Sequence, residues 1–283
     1  MIYKHLVLLL LVASLGACSS IDSLVGTNTS TANETQKMGK PKASEQETDS
    51  VITEVTPPSA ELLLVQSLVS QSDLYQSSKR ALSPNTKTKV VKALHEYDNG
   101  EFEQSEKSIK KVLATELNLN SAVYVLAGDI ALANGKKVDA MAHYRTALKL
   151  NNYNAKAANR LAMQLREQGE FARAEKLYTQ AINAQPSQAE SYRNRAVLYD
   201  LYLDEKAKAY QDYKTYFALL KHSLETHENP DKNTVVANAK ALSDIQLTSL
   251  KTNIKLVKRW LADVGRQVAA LAIVEPNNSA GGN

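Results

Sequence analysis

The chain has 283 residues, a formal net charge of +4 at pH 7 and one cysteine. So small a charge on so long a chain does not indicate a nucleic-acid-binding protein, and a lone cysteine excludes an intramolecular disulfide. With only 10 glycines and 7 prolines, the composition also argues against a β-rich fold. The length allows one or two domains.

The first 17 residues have the layout of a secretory signal peptide. Lys4 supplies the positive start, residues 6–15 are apolar, and the motif Leu-Gly-Ala-Cys ends at Cys18. Polar residues follow from Ser19, too early for a membrane-spanning helix of roughly 20 apolar residues. The segment resembles the signal peptide and lipobox of bacterial lipoproteins. That resemblance implies cleavage before Cys18, a diacylglycerol on its thiol and a fatty acid such as palmitate on the new amino group.

The residue after the cysteine bears on localisation. It is Ser19 and not aspartate, which by resemblance to lipoproteins of Gram-negative bacteria implies anchoring in the outer membrane, facing the periplasm. An ordinary signal peptide, which leaves the thiol unmodified, is the alternative. Residues 18–58 are dominated by Ser, Thr, Asn, Gln, Lys and Glu, and such a composition cannot bury enough apolar surface to fold. We predict a disordered tether here.

Residues 59–83 predict an N-terminal helix. Their apolar side chains, among them Leu62, Val65, Leu68 and Val69, recur mostly at helical spacings, and the pattern stops at Ser83, before a proline.

An internal repeat of about 34 residues follows. Its turns are marked by Gly100, Gly135 and Gly169, each between two amphipathic segments, where glycine supplies the left-handed conformation that ends one helix. Small residues stand five positions after each glycine and large apolar ones four further on, so both lie on one helical face. In the second and third copies these are Ala140 with Tyr144 and Ala174 with Tyr178.

This pattern resembles the tetratricopeptide repeat, whose signature the third copy follows as far as Pro186. The resemblance implies an all-α solenoid of three to four helical hairpins over residues 84–221, with flanking helices. The fourth copy departs from the pattern, because Leu203 stands in the glycine position and one extra residue precedes Ala209. We therefore expect a long first helix and a distorted turn in that copy. Leucine at Ala140 or Ala174 is expected to overpack the hairpin.

After a predicted loop at residues 222–233, residues 234–272 predict a C-terminal capping helix, followed by a disordered tail at residues 273–283. Apolar residues from Leu250 to Leu271 alternate at spacings of four and three. Packing on the last repeat is one reading of this stripe, and self-association as a coiled coil is the other. The outer face is basic and is either solvated or in contact with lipid headgroups or an acidic partner.

No catalytic motif stands out, so we predict neither catalysis nor a cofactor. His222 and His227, with Glu225 and Glu228, are poorly spaced for a metal site on a helix, and no metal is predicted. An envelope enzyme with an unrecognised site remains an alternative.

The resemblance further implies that the first helix of each repeat lines a concave groove for a partner segment. Arg166 and Arg193 are expected to contact an acidic or polar segment. The function expected is a lipid-anchored, non-catalytic scaffold that binds an envelope protein, similar to pilotin-like lipoproteins that assist secretins of type IV pili. An adaptor for peptidoglycan hydrolases or synthases is the alternative. The groove residues expected to be exposed are Val125, Asp129, Asn159, Met163, Arg166, Arg193, Val197 and Asp200.

Overall fold

A computed structural model describes residues 59–229 and 242–274. Within these two ranges every regular element is an α-helix, which confirms the predicted all-α class. The predicted signal peptide (residues 1–17), the lipidation site Cys18 and the tether (residues 18–58) lie outside the described residues. The helices are α1 (Ala60–Ser70), α2 (Leu74–Ser78), α3 (Pro84–Asp98), α4 (Phe102–Thr115), α5 (Ser121–Ala133), α6 (Lys137–Leu150), α7 (Ala155–Glu167), α8 (Phe171–Ala184), α9 (Ala189–Leu201), α10 (Lys206–Glu228) and α11 (Asp244–Val274).

Helices α3 to α10 form four consecutive hairpins, the predicted solenoid, and each pair packs along its length. Asparagine caps start two of the first helices. The Asn120 side chain accepts a hydrogen bond from the Val123 amide at 3.3 Å, and Asn154 accepts one from the Ala157 amide at 2.9 Å. The helix starts are therefore encoded at equivalent positions of successive repeats.

Glycine closes the first three hairpins. Gly100, Gly135 and Gly169 have φ angles of +79°, +75° and +79°, in the left-handed region that side-chain-bearing residues rarely adopt. The amide after each glycine bonds to a carbonyl five residues earlier, as in a Schellman turn. The three turns are equivalent.

The fourth hairpin has the distorted turn that its sequence predicts, but its first helix is not long. Its left-handed residue is Asp204, at φ +55°, and not Leu203, so the extra residue is absorbed before the turn centre. The turn is wider than the others, because the Glu205 amide reaches back six residues to the Tyr199 carbonyl at 2.9 Å. Helix α9 is not long, since its 13 residues match α5 and α7, and the 23-residue α10 is the extended one.

The interiors of the hairpins contain the small and aromatic repeat residues. Ala140 and Ala174 are fully buried, as are Tyr144 and Tyr178 four residues further on, and Pro186 is buried after α8. In the second hairpin the helices approach so closely that a Cβ on Gly128 would lie within 3.0 Å of the Tyr144 ring.

Three predicted boundaries are wrong. The N-terminal segment, residues 59–83, contains two short helices, because it bends at residues 71–73 and is extended after residue 78. Residues 222–228, predicted as loop, are the last turns of α10, which continues because the stretch lacks glycine and proline. The capping helix begins at Asp244 and ends at Val274, two residues into the predicted tail, while residues 230–241 are not described.

The segment of residues 60–82, here called the strap, runs back along the array. Helix α1 packs on α10, and Val65 is buried against Tyr216 and Val257. Further along, Tyr75 enters the core of the first two hairpins. From residue 73 to residue 80 the strap contacts each inter-repeat linker in turn. The hydrogen bonds run from Gln185 Nε2 to Asp73 Oδ2 (3.0 Å), from Asn151 Nδ2 to Ser78 Oγ (3.0 Å) and from Asn120 Nδ2 to the Arg80 carbonyl (2.9 Å).

Helix α11 caps the array within the same chain. Its stripe of Leu250, Ile254, Val257 and Val264 is buried against α10 and the fourth hairpin, with Trp260 against Tyr213 at 5.5 Å between ring centroids. Of the two readings of the stripe, packing in cis is the one observed. Within residues 59–229 and 242–274 no helix combines the length and apolarity needed to cross a bilayer.

Candidate functional site

Helices α3, α5, α7 and α9, the first helices of the four hairpins, lie side by side and form one surface, here called the first-helix face. It carries all eight residues expected in a groove. Four of them, Met163, Arg166, Arg193 and Asp200, are partly exposed. The prediction of exposure is wrong for the other four, since Val125, Asp129, Asn159 and Val197 are exposed by only 3%, 8%, 1% and 1%.

Packing between repeats explains the four buried positions. Val125 joins the core shared by the second and third hairpins, and Val197 joins the core beneath α11. Asn159 accepts a hydrogen bond from Asn194 Nδ2 at 3.1 Å across the α7–α9 contact. Side chains at these positions therefore hold neighbouring first helices together.

Asp129 is the centre of a buried polar network between α5, α6 and α7. Its Oδ1 accepts a 2.7 Å hydrogen bond from the Tyr144 hydroxyl and lies 3.3 Å from Arg160 Nε, and its Oδ2 lies 3.8 Å from Lys156 Nζ. Burial raises the pKa of Tyr144, and the Asp129 carboxylate raises it further, so the hydroxyl remains a donor. The network satisfies its members internally and fixes α7 on α5.

The network continues onto α9. Arg160 Nη1 lies 3.3 Å from Glu190 Oε1, and Arg193 Nη2 lies 3.8 Å from the same oxygen. Burial acts to lower the pKa of Arg160, but Asp129 and Glu190 outweigh it and raise that pKa. Three cationic side chains, Lys156, Arg160 and Arg193, thus share two carboxylates, those of Asp129 and Glu190.

Arg166 has no carboxylate partner among the described residues. Its guanidinium carbon lies 5.6 Å from the centre of the Tyr202 ring, and its buried Nε forms no hydrogen bond within residues 59–229 and 242–274. Asp200, the second-last residue of α9, pairs with Lys206 at 2.8 Å instead. The part of the face around Arg166 and Arg193 therefore keeps excess positive charge.

Sequence reasoning missed Lys156, Arg160 and Glu190 as members of the face. A signal was present, because Lys156 and Glu190 are 34 residues apart and occupy equivalent repeat positions. No group of three or more potential metal ligands occurs in the part of the chain that the structure describes. His222 and His227, considered as metal ligands, lie on α10.

Comparison with known proteins agrees with this architecture. The fold defines a helical-hairpin solenoid, a class of protein that presents extended surfaces to other proteins. A tetratricopeptide-repeat family model matches residues 90–155 and 159–201, so the sequence of this part of the chain is similar to tetratricopeptide repeats. The match begins after the strap and ends before α10 and α11, so the family pattern describes none of these three elements.

Three solved structures with a similar fold are distant in sequence from this chain. A crystal structure of MamA is 19% identical and has a TM-score of 0.45, with 50% of this chain and 81% of that chain covered. YrrB, described as a TPR protein with an unusual peptide-binding site, is 16% identical with a TM-score of 0.42, covering 51% and 74%. PilF of Pseudomonas aeruginosa is 17% identical with a TM-score of 0.44, covering 68% and 93%. No curated protein sequence gives a significant match.

Proposed function

We propose that the chain is a non-catalytic, lipid-anchored scaffold of the outer membrane whose first-helix face binds an extended acidic segment of another envelope protein. The observation that carries the proposal is the excess positive charge at Arg166 and Arg193. A guanidinium beside low-dielectric walls attracts anions more strongly than one in open water. Arginine also pairs with carboxylates through two parallel hydrogen bonds, which gives direction as well as attraction.

The surroundings of the two arginines suit a peptide. Met163 and Tyr202 are partly exposed beside Arg166 and offer apolar contact to the rest of a bound segment. The buried network of Asp129, Arg160 and Glu190 holds the supporting helices in place, so less ordering is required when a partner binds.

Charge reversal tests this function. In the full-length chain, Arg166→Glu combined with Arg193→Glu is expected to abolish crosslinks to the partner in intact membranes. The matched control is Lys107→Glu with Lys111→Glu on the exposed side of α4, which makes the same change in net charge and is expected to preserve them. Retention of every crosslink in the first variant contradicts the proposal.

The anchor has a separate test. Tethering through Cys18 would leave about 40 residues before the strap, with a root-mean-square reach near 35 Å. Mass spectrometry of the mature amino-terminal peptide is expected to show a diacylglyceryl and an acyl group, and Cys18→Ser is expected to release the chain from membranes. An unmodified thiol on the mature chain excludes the anchor.

The partner's identity has a genetic test. Loss of assembled secretin multimers on deletion supports a role in type IV pilus assembly, whereas altered cell shape or lysis supports an adaptor for peptidoglycan hydrolases or synthases. Turnover of an envelope substrate by the purified chain supports the alternative of an enzyme.

A further inference from the structure

Three tyrosines occupy the same position in successive hairpins. Tyr144, Tyr178 and Tyr213 are 34 and 35 residues apart, and all three are buried against the first helix of their own hairpin. The Tyr144 hydroxyl donates to Asp129 Oδ1 at 2.7 Å, and the Tyr213 hydroxyl donates to Asp200 Oδ2 at 3.4 Å. In the second and fourth hairpins the hydroxyl thus meets a carboxylate of the chain itself.

The third hairpin lacks that carboxylate. Met163 stands where Asp129 stands in the second hairpin, and Arg166 stands where Asp200 stands in the fourth. The Tyr178 side chain is fully buried, and its hydroxyl forms no hydrogen bond within residues 59–229 and 242–274. A buried hydroxyl without a partner loses its hydration and gains nothing in return, so it is rare in stable interiors.

Two hydrogen-bond donors, the guanidinium groups of Arg166 and Arg193, lie near this hydroxyl, and Glu190 is the carboxylate near it. Arg166 and Arg193 both act on Tyr178 electrostatically, and Arg166 Nε is itself buried without a partner in the described part of the chain. Burial raises the pKa of Tyr178 more than the two arginines lower it, so the hydroxyl keeps its proton at neutral pH. A protonated hydroxyl and a guanidinium together require an acceptor, and an anionic one satisfies both.

We propose that the third hairpin binds a glutamate or aspartate side chain of the partner segment, with its carboxylate accepting hydrogen bonds from the Tyr178 hydroxyl and the Arg166 guanidinium. This inference rests on the proposed function and names the group that the first-helix face recognises. The ligand carboxylate takes the role that Asp129 and Asp200 play in the adjacent hairpins. Glu190, the nearby carboxylate of the chain, is already shared by Arg160 and Arg193.

A first test needs no ligand, because a substitution introduces the carboxylate acceptor into the chain itself. Met163→Asp recreates the arrangement of Asp129 and Tyr144, so it is expected to leave Tm unchanged or to raise it in the full-length chain. In the Tyr178→Phe background the same substitution is expected to lower Tm, because the new carboxylate loses its hydroxyl donor. Equal lowering of Tm by Met163→Asp in both backgrounds contradicts the proposed site.

A test with ligand uses fluorescence anisotropy of the full-length chain. The probes are a fluorescein-labelled dodecapeptide alternating alanine and glutamate, its glutamine counterpart and a phosphoserine counterpart, all with amidated carboxyl ends. The glutamate peptide is expected to bind at least tenfold more tightly than the glutamine peptide, and Tyr178→Phe is expected to weaken it at least fivefold. Tyr144→Phe is the matched control and is expected to leave the Kd within twofold, because that hydroxyl already bonds Asp129.

The outcomes separate this inference from the proposed function. Binding that is lost with Arg166→Glu and Arg193→Glu but unchanged by Tyr178→Phe contradicts the Tyr178 site and leaves the acidic-segment scaffold standing. Absence of binding to any acidic probe contradicts both. A preference for the phosphoserine peptide by tenfold or more replaces the carboxylate with a phosphate as the ligand, and carboxylate recognition is then wrong.

Discussion

The second and third hairpins share one backbone plan but differ in how their polar groups are satisfied. In the second, Asp129 closes a network with Tyr144, Arg160 and Lys156 inside the chain. In the third, Met163 occupies the equivalent position, and the Tyr178 hydroxyl has no partner among the described residues. The tyrosine hydroxyl at this repeat position thus bonds within the chain in the second hairpin, and in the third hairpin we propose that it binds a ligand. A repeat pattern specifies the frame but not this difference.

The largest expected effect comes from breaking the second hairpin's network. Asp129→Ala leaves Arg160 with one partner and Tyr144 with none, so we expect a loss of about 3–5 kcal/mol in the free energy of unfolding. The measurement is urea unfolding followed by circular dichroism. Met163→Ala at the equivalent position removes no ion pair and is expected to cost clearly less. Equal costs would remove the distinction between the hairpins.

A second prediction concerns what the hairpins share. Leucine at Ala140 or at Ala174 enters a fully buried contact between paired helices, and each substitution is expected to cost about 1–3 kcal/mol through overpacking. Ala133→Leu at an exposed site of α5 is the control and is expected to be nearly neutral. An unchanged melting temperature for Ala174→Leu contradicts the close approach of α7 and α8.

Removing the tyrosine hydroxyls is expected to have a smaller effect on stability, and it compares the second and third hairpins directly. Tyr144→Phe removes a donor from Asp129 and is expected to cost about 1–2 kcal/mol in the ligand-free chain. Tyr178→Phe removes a buried hydroxyl without a described partner and is expected to be neutral or stabilising. Thermal unfolding of the two variants side by side measures the difference, and a similar loss in both contradicts it.

The smallest effect concerns the turns. Gly135→Ala places a side chain at φ +75° and is expected to cost about 1 kcal/mol. Asp204→Gly in the fourth turn relieves the same strain but removes an ion pair to Lys206 at 3.2 Å, so a net change of no more than about 0.5 kcal/mol is expected. Thermal unfolding measures the stability of both variants. A large loss of stability in Asp204→Gly shows that Asp204 has a further structural role.

The sequence allowed the helices, the repeat period and the glycine turns to be predicted because each depends on local chemistry. The length of the first helix in the fourth hairpin was wrongly predicted because the extra residue can be accommodated either in the helix or in the turn, and the sequence alone does not decide between them. Burial of Val125 and Val197 was missed for a related reason. Their exposure depends on how neighbouring hairpins and α11 approach one another, which spacing along one helix does not define.

The sequence motifs did not predict the proposed Tyr178 site, although the sequence analysis had named both Tyr178 and Arg166. Tyr178 was assigned to packing and Arg166 to the groove. Only the folded chain brings these two residues together with Met163 in the third hairpin. Alignment of the repeats shows that Met163 replaces the acid found at Asp129. The importance of this replacement is evident only once the Tyr178 hydroxyl is known to be buried without a described partner.

The strap gives the molecule an unexpected response to mechanical load. Because α1 packs on α10, where Glu61 meets Lys221 at 3.1 Å, tension applied at the amino end reaches the carboxyl-terminal end of the array first. The hydrogen bonds between the strap and the linkers would then break one after another, first at Gln185, then at Asn151 and last at Asn120. On this order of contacts the hairpins would be loaded only after the strap has detached, so the first-helix face would be shielded from modest pulling.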